Sequence, residues 1–307
     1  MKTLITGSEG FIGSHLKHLD YRPFDLKVGN NVRDYEDVES HMAGCDRVIH
    51  LASIAGVDNV IKSPIQTMET IWEGTKNVID ACMQLGTKRM INVSTSEVYG
   101  QFAHKVSEGE ATSMGPVGNA RWTYSSAKLA IEHLCMHYYE ENMLPVVSVR
   151  PFNVFGPGQH GPGAVKNFVS KALANEDIVI KNGGNQIRSW CHIDDFIDGL
   201  TICLEHELAP GNVFNIGNPR NTCTIYDLAL RVKRICASRS QIIFDEVHVP
   251  DVEQRIPNID KLFKLGFKPK VSLDESIMRM IGLDDRSDHP RYPGGPRPSL
   301  DPPDPLR

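Results

Sequence analysis

Lys2-Thr3-Leu4-Ile5-Thr6 reads as a short buried strand that runs directly into Gly7-Ser8-Glu9-Gly10-Phe11-Ile12-Gly13, after which Leu16 and Leu19 recur at helical spacing. A strand, a glycine turn and a helix in that order leave few architectures open, because such a turn is shaped to bring backbone against phosphate. Gly7 allows the tight turn, Gly10 lets backbone N–H groups approach a pyrophosphate at the helix amino end, and Gly13 lets the helix pack on the sheet. The spacing is Gly-x-x-Gly-x-x-Gly, not the commoner Gly-x-Gly-x-x-Gly, and a plain glycine-rich turn with a surface Asp is the competing reading. Asp25 follows Pro23-Phe24, where a second strand should end. A carboxylate there accepts hydrogen bonds from ribose hydroxyls and repels a 2′-phosphate, which predicts NAD ahead of NADP. Lys27 works against that preference, since a nearby cation tolerates the extra phosphate.

Beyond this turn, strand patterns at 3–6, 24–28, 47–51, 89–94 and 146–150 alternate with helical ones, notably 67–85 and 123–142. The alternation predicts an α/β fold, a doubly wound parallel sheet of the Rossmann kind. The first helix and second strand are compressed, since Asp25 comes only eighteen positions after Gly7. After Arg150 the sequence is less regular and richer in Gly and Pro, with helical stretches near 165–175, 194–207 and 225–237. We therefore expect an NAD-binding core over 1–150 and a smaller C-terminal substrate-binding lobe over 151–285, interleaved with late core strands. Residues 286–307 hold seven prolines and little apolar content, the composition of a disordered tail.

Composition narrows the partners. A net charge of −5 argues against a broad nucleic-acid footprint. No apolar run approaches the roughly 18 residues that span a bilayer, and the amino terminus enters a strand instead of a signal peptide, so the expected location is the cytoplasm with no membrane partner. Seven cysteines without Cys-x-x-Cys spacing are expected to be reduced and structural, and no metal site is expected.

Tyr124 and Lys128 stand four apart in a run where Ala127, Ile131, Leu134 and Tyr138 recur at helical spacing, so phenol and amine share one face. An ammonium one turn from a phenol favours the phenolate, which makes the pair a candidate acid/base. Taken alone such a pair carries little weight, because Tyr and Lys are common on helices. Ser94-Thr95-Ser96-Glu97-Val98-Tyr99-Gly100 follows a strand pattern, so its polar side chains emerge at the carboxyl edge of the sheet, where ligands bind. The competing reading is a hydroxyl-rich strand end that caps backbone groups.

Taken with His50-Leu51-Ala52-Ser53, Arg150-Pro151-Phe152-Asn153-Val154-Phe155-Gly156-Pro157, Arg188 before His192-Ile193-Asp194-Asp195, and Phe214-Asn215-Ile216-Gly217-Asn218-Pro219, these segments resemble one family. It is the extended short-chain dehydrogenase/reductases, comprising NAD-dependent nucleotide-sugar epimerases, dehydratases and decarboxylases. The resemblance runs from residue 1 to about residue 282. It implies that NAD is held by Gly7, Gly10, Phe11, Ile12, Gly13, Asp25, Asn31, Val32, Leu51, Ala52, Tyr124 and Lys128. It implies a catalytic set of Thr95, Ser96, Glu97, Tyr124 and Lys128, with Asn153, Arg188 and Arg255 on a nucleotide-sugar substrate, UDP-linked in the closest branch. It also implies a homodimer formed through the helix pair 67–85 and 123–142.

The implied chemistry is proton removal from a sugar 4-hydroxyl by Tyr124 as hydride leaves C4, giving a 4-keto sugar. That carbonyl permits re-reduction from the other face, loss of the 6-hydroxyl, or loss of a C6 carboxylate. Glu97 beside Ser96 resembles the 4,6-dehydratases and UDP-glucuronate decarboxylases more than the 4-epimerases; a surface carboxylate is the alternative. Arg121-Trp122-Thr123-Tyr124 and Asp251-Val252-Glu253-Gln254-Arg255-Ile256-Pro257 resemble the branch of the bacterial bifunctional decarboxylase and plant apiose synthase. Val146-Val147-Ser148-Val149-Arg150-Pro151-Phe152-Asn153 looks equally like the dehydratases. The expected order is UDP-glucuronate decarboxylase, then 4,6-dehydratase, then UDP-sugar 4-epimerase. The alternative from another class is a dinucleotide-binding sensor or scaffold, against which the Thr95/Tyr124/Lys128 set speaks. Two positions depart from the pattern: Ile71 stands where an Asn is often found, and Asn31 where an Asp is common. Asp194 and Asp195 are read as caps of the following helix, and His192 as structural.

Overall fold

Successive side chains of a strand face opposite ways, and in the central strands of this chain both ways are apolar. Leu4 and Ile5, Val48 and Ile49, Met90 and Ile91, and Val146 and Val147 are all buried. Such strands need helices on both faces. The computed structural model, which describes residues 1–161, 163–245 and 251–282, has that arrangement. Six parallel strands lie in the order Asn212–Ile216, Val146–Pro151, Arg89–Val93, Arg47–His50, Thr3–Thr6, Tyr21–Phe24. On one face Ile71 and Val78 of helix Pro64–Leu85, with Ala127 and Ile131 of helix Thr123–Asn142, close over Leu4, Val48 and Met90. On the other, Phe196, Leu200 and Cys203 of helix Ile193–Glu205 close over Ile5, Ile49 and Ile91.

The chain enters the sheet at Thr3–Thr6, steps outward to Tyr21–Phe24 and then crosses to Arg47–His50 on the opposite side. That reversal leaves a crevice beyond the carboxyl ends of Thr3–Thr6 and Arg47–His50, where open sheets of this kind take ligands.

Two elements differ from expectation. The second strand is Tyr21–Phe24, not 24–28, because its parallel register with Thr3–Thr6 ends at Phe24. Leu26–Val28 is a 3-10 turn in which Leu26 is 74% and Val28 53% exposed, so its apolar residues mimic a strand without being buried as one. The first helix is Phe11–Ser14 alone, although Leu16 beyond it still packs into the core. The long helix begins at Pro64, where the missing N–H needs no partner, and stops at Gly86 in the left-handed conformation.

A second, four-stranded sheet lies in the order Thr222–Thr224, Ile187–Ser189, Gln254–Pro257, Phe102–Val106. Strand pairing thus crosses residue 150 in both directions, with Phe102–Val106 joined to the lobe and Asn212–Ile216 joined to the main sheet. In the smaller sheet Arg255 is the cross-strand partner of Arg188. The strand Phe102–Val106 follows directly on the Ser96–Tyr99 turn, so the pairing carries Arg255 to Glu97. No helix among the described residues is long and apolar enough to cross a membrane. The proline-rich stretch 286–307 lies outside the described residues.

Candidate active site

The crevice at the strand crossover has about 310 Å³ of water-accessible space, and Gly7, Gly10, Asp25, Asn31, Val32, Leu51 and Ala52 line it together with Arg33 and Ser53. Its floor tolerates no side chains. Gly7 has φ of 76°, and a Cβ there would lie 2.9 Å from the Ala52 nitrogen; one on Gly13 would lie 2.4 Å from the Gly7 carbonyl oxygen. Phe11, Ile12 and Gly13 form the short helix at its edge. Asn31 is exposed and its side chain accepts from the Arg33 nitrogen at 3.1 Å, while Val32 is buried against Gly74.

Asp25 shapes this turn as well as facing it. Its carboxylate accepts from the Glu9 nitrogen at 3.1 Å and the Lys27 nitrogen at 2.9 Å. The cation that blurred the choice of coenzyme is itself engaged, since the Lys27 ammonium donates to the Glu9 carbonyl at 3.0 Å. Arg33 is likewise taken, by Glu73 at 2.6 Å and Glu69 at 3.1 Å. A bare backbone cradle with a carboxylate at its far end and its cations occupied fits NAD and disfavours a 2′-phosphate. Asp25→Ala is expected to weaken NAD binding by roughly 10–100-fold, the usual worth of a hydrogen bond to a charged group. Calorimetric titration with NAD and NADP checks this; an unchanged preference between the two would remove Asp25 from the ribose site.

Tyr124 and Lys128 lie one turn apart on the helix Thr123–Asn142, with the Lys128 ammonium 5.9 Å from the Tyr124 ring centre. Lys128 is buried and donates to the Val93 carbonyl at 2.8 Å. Burial lowers it to about 8, against the pull of Cys135 and Glu132. The Tyr124 phenol is shifted in the opposite direction to Lys128. Burial first, and then the negative charge of Glu97, push it above the ordinary tyrosine value, while the nearby Ser53 hydroxyl pulls it down. His50, at the end of the neighbouring strand, bonds Thr6 at 2.7 Å and Thr75 at 3.0 Å, and burial lowers it to about 3, so beside Lys128 it is neutral.

Thr95 combines both readings of its segment. Its hydroxyl oxygen accepts from the Glu97 nitrogen at 3.1 Å, capping the Ser96–Tyr99 turn, which leaves its O–H as a donor. Glu97 is clamped by two guanidiniums, Arg121 at 2.5 Å and Arg255 at 2.9 Å. Burial raises its pKa, but Arg255 and then Arg121 prevail and bring it down to about 2. A carboxylate so held is a fixed anion, which makes it a poor proton carrier until a partner is drawn away. Arg255 also reaches Ser96 at 3.4 Å and the Gly100 carbonyl at 2.7 Å, leaving its buried Nε–H without a partner.

Arg188 reaches the same wall, but its terminal nitrogens are turned to the Ile187, Glu253 and Val252 carbonyls and to Asp251 at 3.3 Å. Burial lowers its pKa to about 10. Asn153, at φ of 40°, spends its amide on the Ser189 carbonyl at 2.8 Å. Ile71 is fully buried in the core beneath the helix pair. The helix after His192 is capped by His192 itself, whose ring accepts from the Asp194 nitrogen, while Asp195 accepts from the Lys270 and Val271 nitrogens.

A glycine-floored crevice, one of whose lining residues, Ser53, lies beside the half-buried Tyr124 of a Tyr/Lys pair, is the arrangement of an extended short-chain dehydrogenase/reductase. The chain belongs to the NAD dependent epimerase/dehydratase family, whose model matches residues 3–217, and it is an NAD-dependent enzyme. It is 31% identical to UDP-glucuronic acid decarboxylase 1 of Danio rerio, over 91% of this chain and 72% of that protein. It is 30% identical to the UDP-N-acetyl-alpha-D-glucosaminuronate decarboxylase of Bacillus cytotoxicus, over 91% of this chain and 96% of that one. Among solved structures, the Bacillus cereus UDP-glucuronic acid 4-epimerase in complex with UDP-glucuronic acid and NAD superposes with a TM-score of 0.79 at 27% identity, covering 92% of this chain and 98% of that one.

Proposed function

We propose that the protein decarboxylates a UDP-linked hexuronate through a 4-keto intermediate, with UDP-glucuronate the first candidate. The observation that supports this most is the charge cluster at the Ser96–Tyr99 turn. Three buried or nearly buried guanidiniums, Arg121, Arg188 and Arg255, face two carboxylates, Glu97 and Asp251, a surplus of one positive charge. A uronate carboxylate would balance it, and planar guanidiniums hold carboxylates by paired hydrogen bonds.

NAD held by the glycine crevice would supply the acceptor for the C4 hydride and the donor that restores it. Tyr124, ionised for the step and steadied by Lys128, accepts the 4-hydroxyl proton, and Thr95 orients that hydroxyl. With a ketone at C4, the C6 carboxylate is a β-keto acid. Carbon dioxide leaves, its bonding electrons pass into the C5–C4–O4 system, and C5 then takes up a proton from water, the one proton the net reaction consumes. Arg255 and Arg121 hold the carboxylate in place until it goes. Glu97, released from its clamp as they turn to substrate, stands beside C5. Tyr124 gives its proton back to O4 as C4 is reduced.

Several coarser features belong to this proposal. The core takes 1–150 and the substrate lobe mainly 151–285, interleaved through Asn212–Ile216 in the core sheet and Phe102–Val106 in the lobe sheet. A homodimer would cover Ile65, Met68 and Trp72, which recur along one face of the helix Pro64–Leu85 and are 72%, 48% and 48% exposed. The cysteines, all free among the described residues, suit a reducing compartment such as the cytoplasm.

A product assay separates the branches. Purified protein with NAD is expected to release carbon dioxide from UDP-glucuronate and yield a UDP-pentose. Release from UDP-N-acetylglucosaminuronate alone would change the sugar and keep the reaction. A 4-keto-6-deoxy product from a neutral nucleotide hexose, or a C4 epimer with its carboxylate intact, would overturn the decarboxylase reading. No product from any of these would favour a dinucleotide-binding sensor or scaffold.

A further inference from the structure

We propose that Arg150 and Glu132 are positioning residues that lock the Tyr124/Lys128 helix to the turn carrying Ser96 and Glu97. The inference rests on the catalytic reading of those segments. Arg150 lies near the carboxyl end of Val146–Pro151 and is 5% exposed. Its Nε donates to both Glu132 oxygens at 3.0 and 3.1 Å, and Nη2 donates to one of them at 2.6 Å. Nη1 turns the other way, to the Tyr99 hydroxyl at 2.6 Å and the Glu108 carbonyl at 3.3 Å.

Each partner belongs to a different part of the site. Glu132 follows Lys128 by one turn, as Lys128 follows Tyr124, so all three share a helix face. Tyr99 closes the 3-10 turn Ser96–Tyr99. Its hydroxyl donates in turn to the Asn215 side chain at 2.8 Å, and Asn215 amide groups reach Glu108 at 2.8 Å and the Val106 and Asn258 carbonyls at 3.0 Å. One guanidinium thus spans the base and the acid turn, and its far end is anchored in the last core strand.

Energetics favour a geometric role over a purely stabilising one. Glu132 is 4% exposed, and desolvating such a pair offsets much of its attraction, so an apolar pair of similar volume would stabilise the fold about as well. An apolar pair would lack the directional bonds by which Arg150 joins Glu132 to the Tyr99 hydroxyl.

Glu132 also sets charge. The groups around the Lys128 ammonium are Tyr124, Glu132 and Cys135 on its own helix, His50 from the next strand and the Val93 carbonyl. His50 is neutral, and burial pushes the Cys135 thiol up to about 12. Glu132, itself paired with Arg150, is the anion on that helix face that favours the charged form of Lys128 against burial.

Glu132→Gln keeps the side-chain shape and removes that charge. It is expected to lower the Lys128 titration by about one pH unit, the lower end of what a nearby opposite charge supplies. The titration is read on the side-chain amine by nuclear magnetic resonance without substrate, and the alkaline limb of kcat should move with it. Unmoved titration and an unmoved limb would overturn the charge-setting role. The double variant Glu132→Leu/Arg150→Met tests positioning. It is expected to keep its melting temperature while kcat falls roughly 10²-fold, the cost of about 1 Å of misplacement. Wild-type kcat in a folded double variant would overturn the proposal, and if that variant fails to fold the Glu132→Gln titration decides. A wrong substrate assignment would silence wild type and variants alike but leave the amine titration shifted, so the two failures are distinguishable.

Discussion

Tyr124→Phe is expected to lower turnover by a factor of roughly 10²–10⁴, the range for loss of one acid/base group, with fold and NAD binding intact. The substitution removes one oxygen and keeps the ring that packs beside Ala127 and Ile131. The phenol of the free protein sits above the ordinary tyrosine value through burial and Glu97, while Lys128 is down at about 8 through burial. In that order of titration the productive pair, phenolate with ammonium, is a minority form. A positively charged nicotinamide, were it bound near the phenol, would lower the Tyr124 pKa and correct this. Tyrosinate absorbance followed against pH should therefore show Tyr124 ionising at lower pH with NAD than without, and that component should vanish in Tyr124→Phe. Lys128→Met should remove the alkaline limb as well as most of the rate. Full activity in Tyr124→Phe would end the mechanism outright.

Much of this was legible in the chain because local signals and burial agree. Leu4-Ile5, Val48-Ile49 and Met90-Ile91 are apolar on both faces, and a sheet of such strands needs cover on both sides. The glycines at 7, 10 and 13 constrain backbone directly, so their turn reads without any knowledge of packing. The second strand misled because Leu26 and Val28 have strand-like side chains but stand exposed after the Asp25 cap, and exposure is a property of the neighbours. The network around Glu97 was half legible. Arg121 and Asp251 stood in motifs yet had no assigned partner, since their meeting depends on the Arg255–Arg188 register and on the pairing of Phe102–Val106 with Gln254–Pro257. Glu132 carried one available signal, its place one turn beyond Lys128. Arg150 gave none that distinguishes it from a substrate arginine, because only the fold shows its guanidinium turned inward.

Arg255→Met should produce the second large effect and separate substrate classes. The guanidinium is 2% exposed and bridges Glu97, Ser96 and the Gly100 carbonyl, with its Nε–H unpaired. If its task is to receive a sugar carboxylate, kcat/KM for UDP-glucuronate should fall roughly 10²–10³-fold, as when one partner of a buried charge pair is lost. Arg255→Lys should recover little, because an ammonium restores the charge but not the fork. The same change acts on stability with a definite sign. Glu97 is held down to about 2, below its unfolded value, so its ionised form contributes stability above about pH 4.3 that is lost as pH falls toward 2. Without Arg255 the remaining clamp is Arg121, the Glu97 pKa rises, and the deficit against wild type should be full near neutral pH and shrink below about pH 4. Urea titrations at several pH values read the stability arm, and kinetics with UDP-glucuronate and UDP-glucose read the other. An Arg255→Met enzyme that is less stable by that pattern yet turns over UDP-glucuronate at the wild-type rate would leave Arg255 as a prop for Glu97 and take the carboxylate out of its hands.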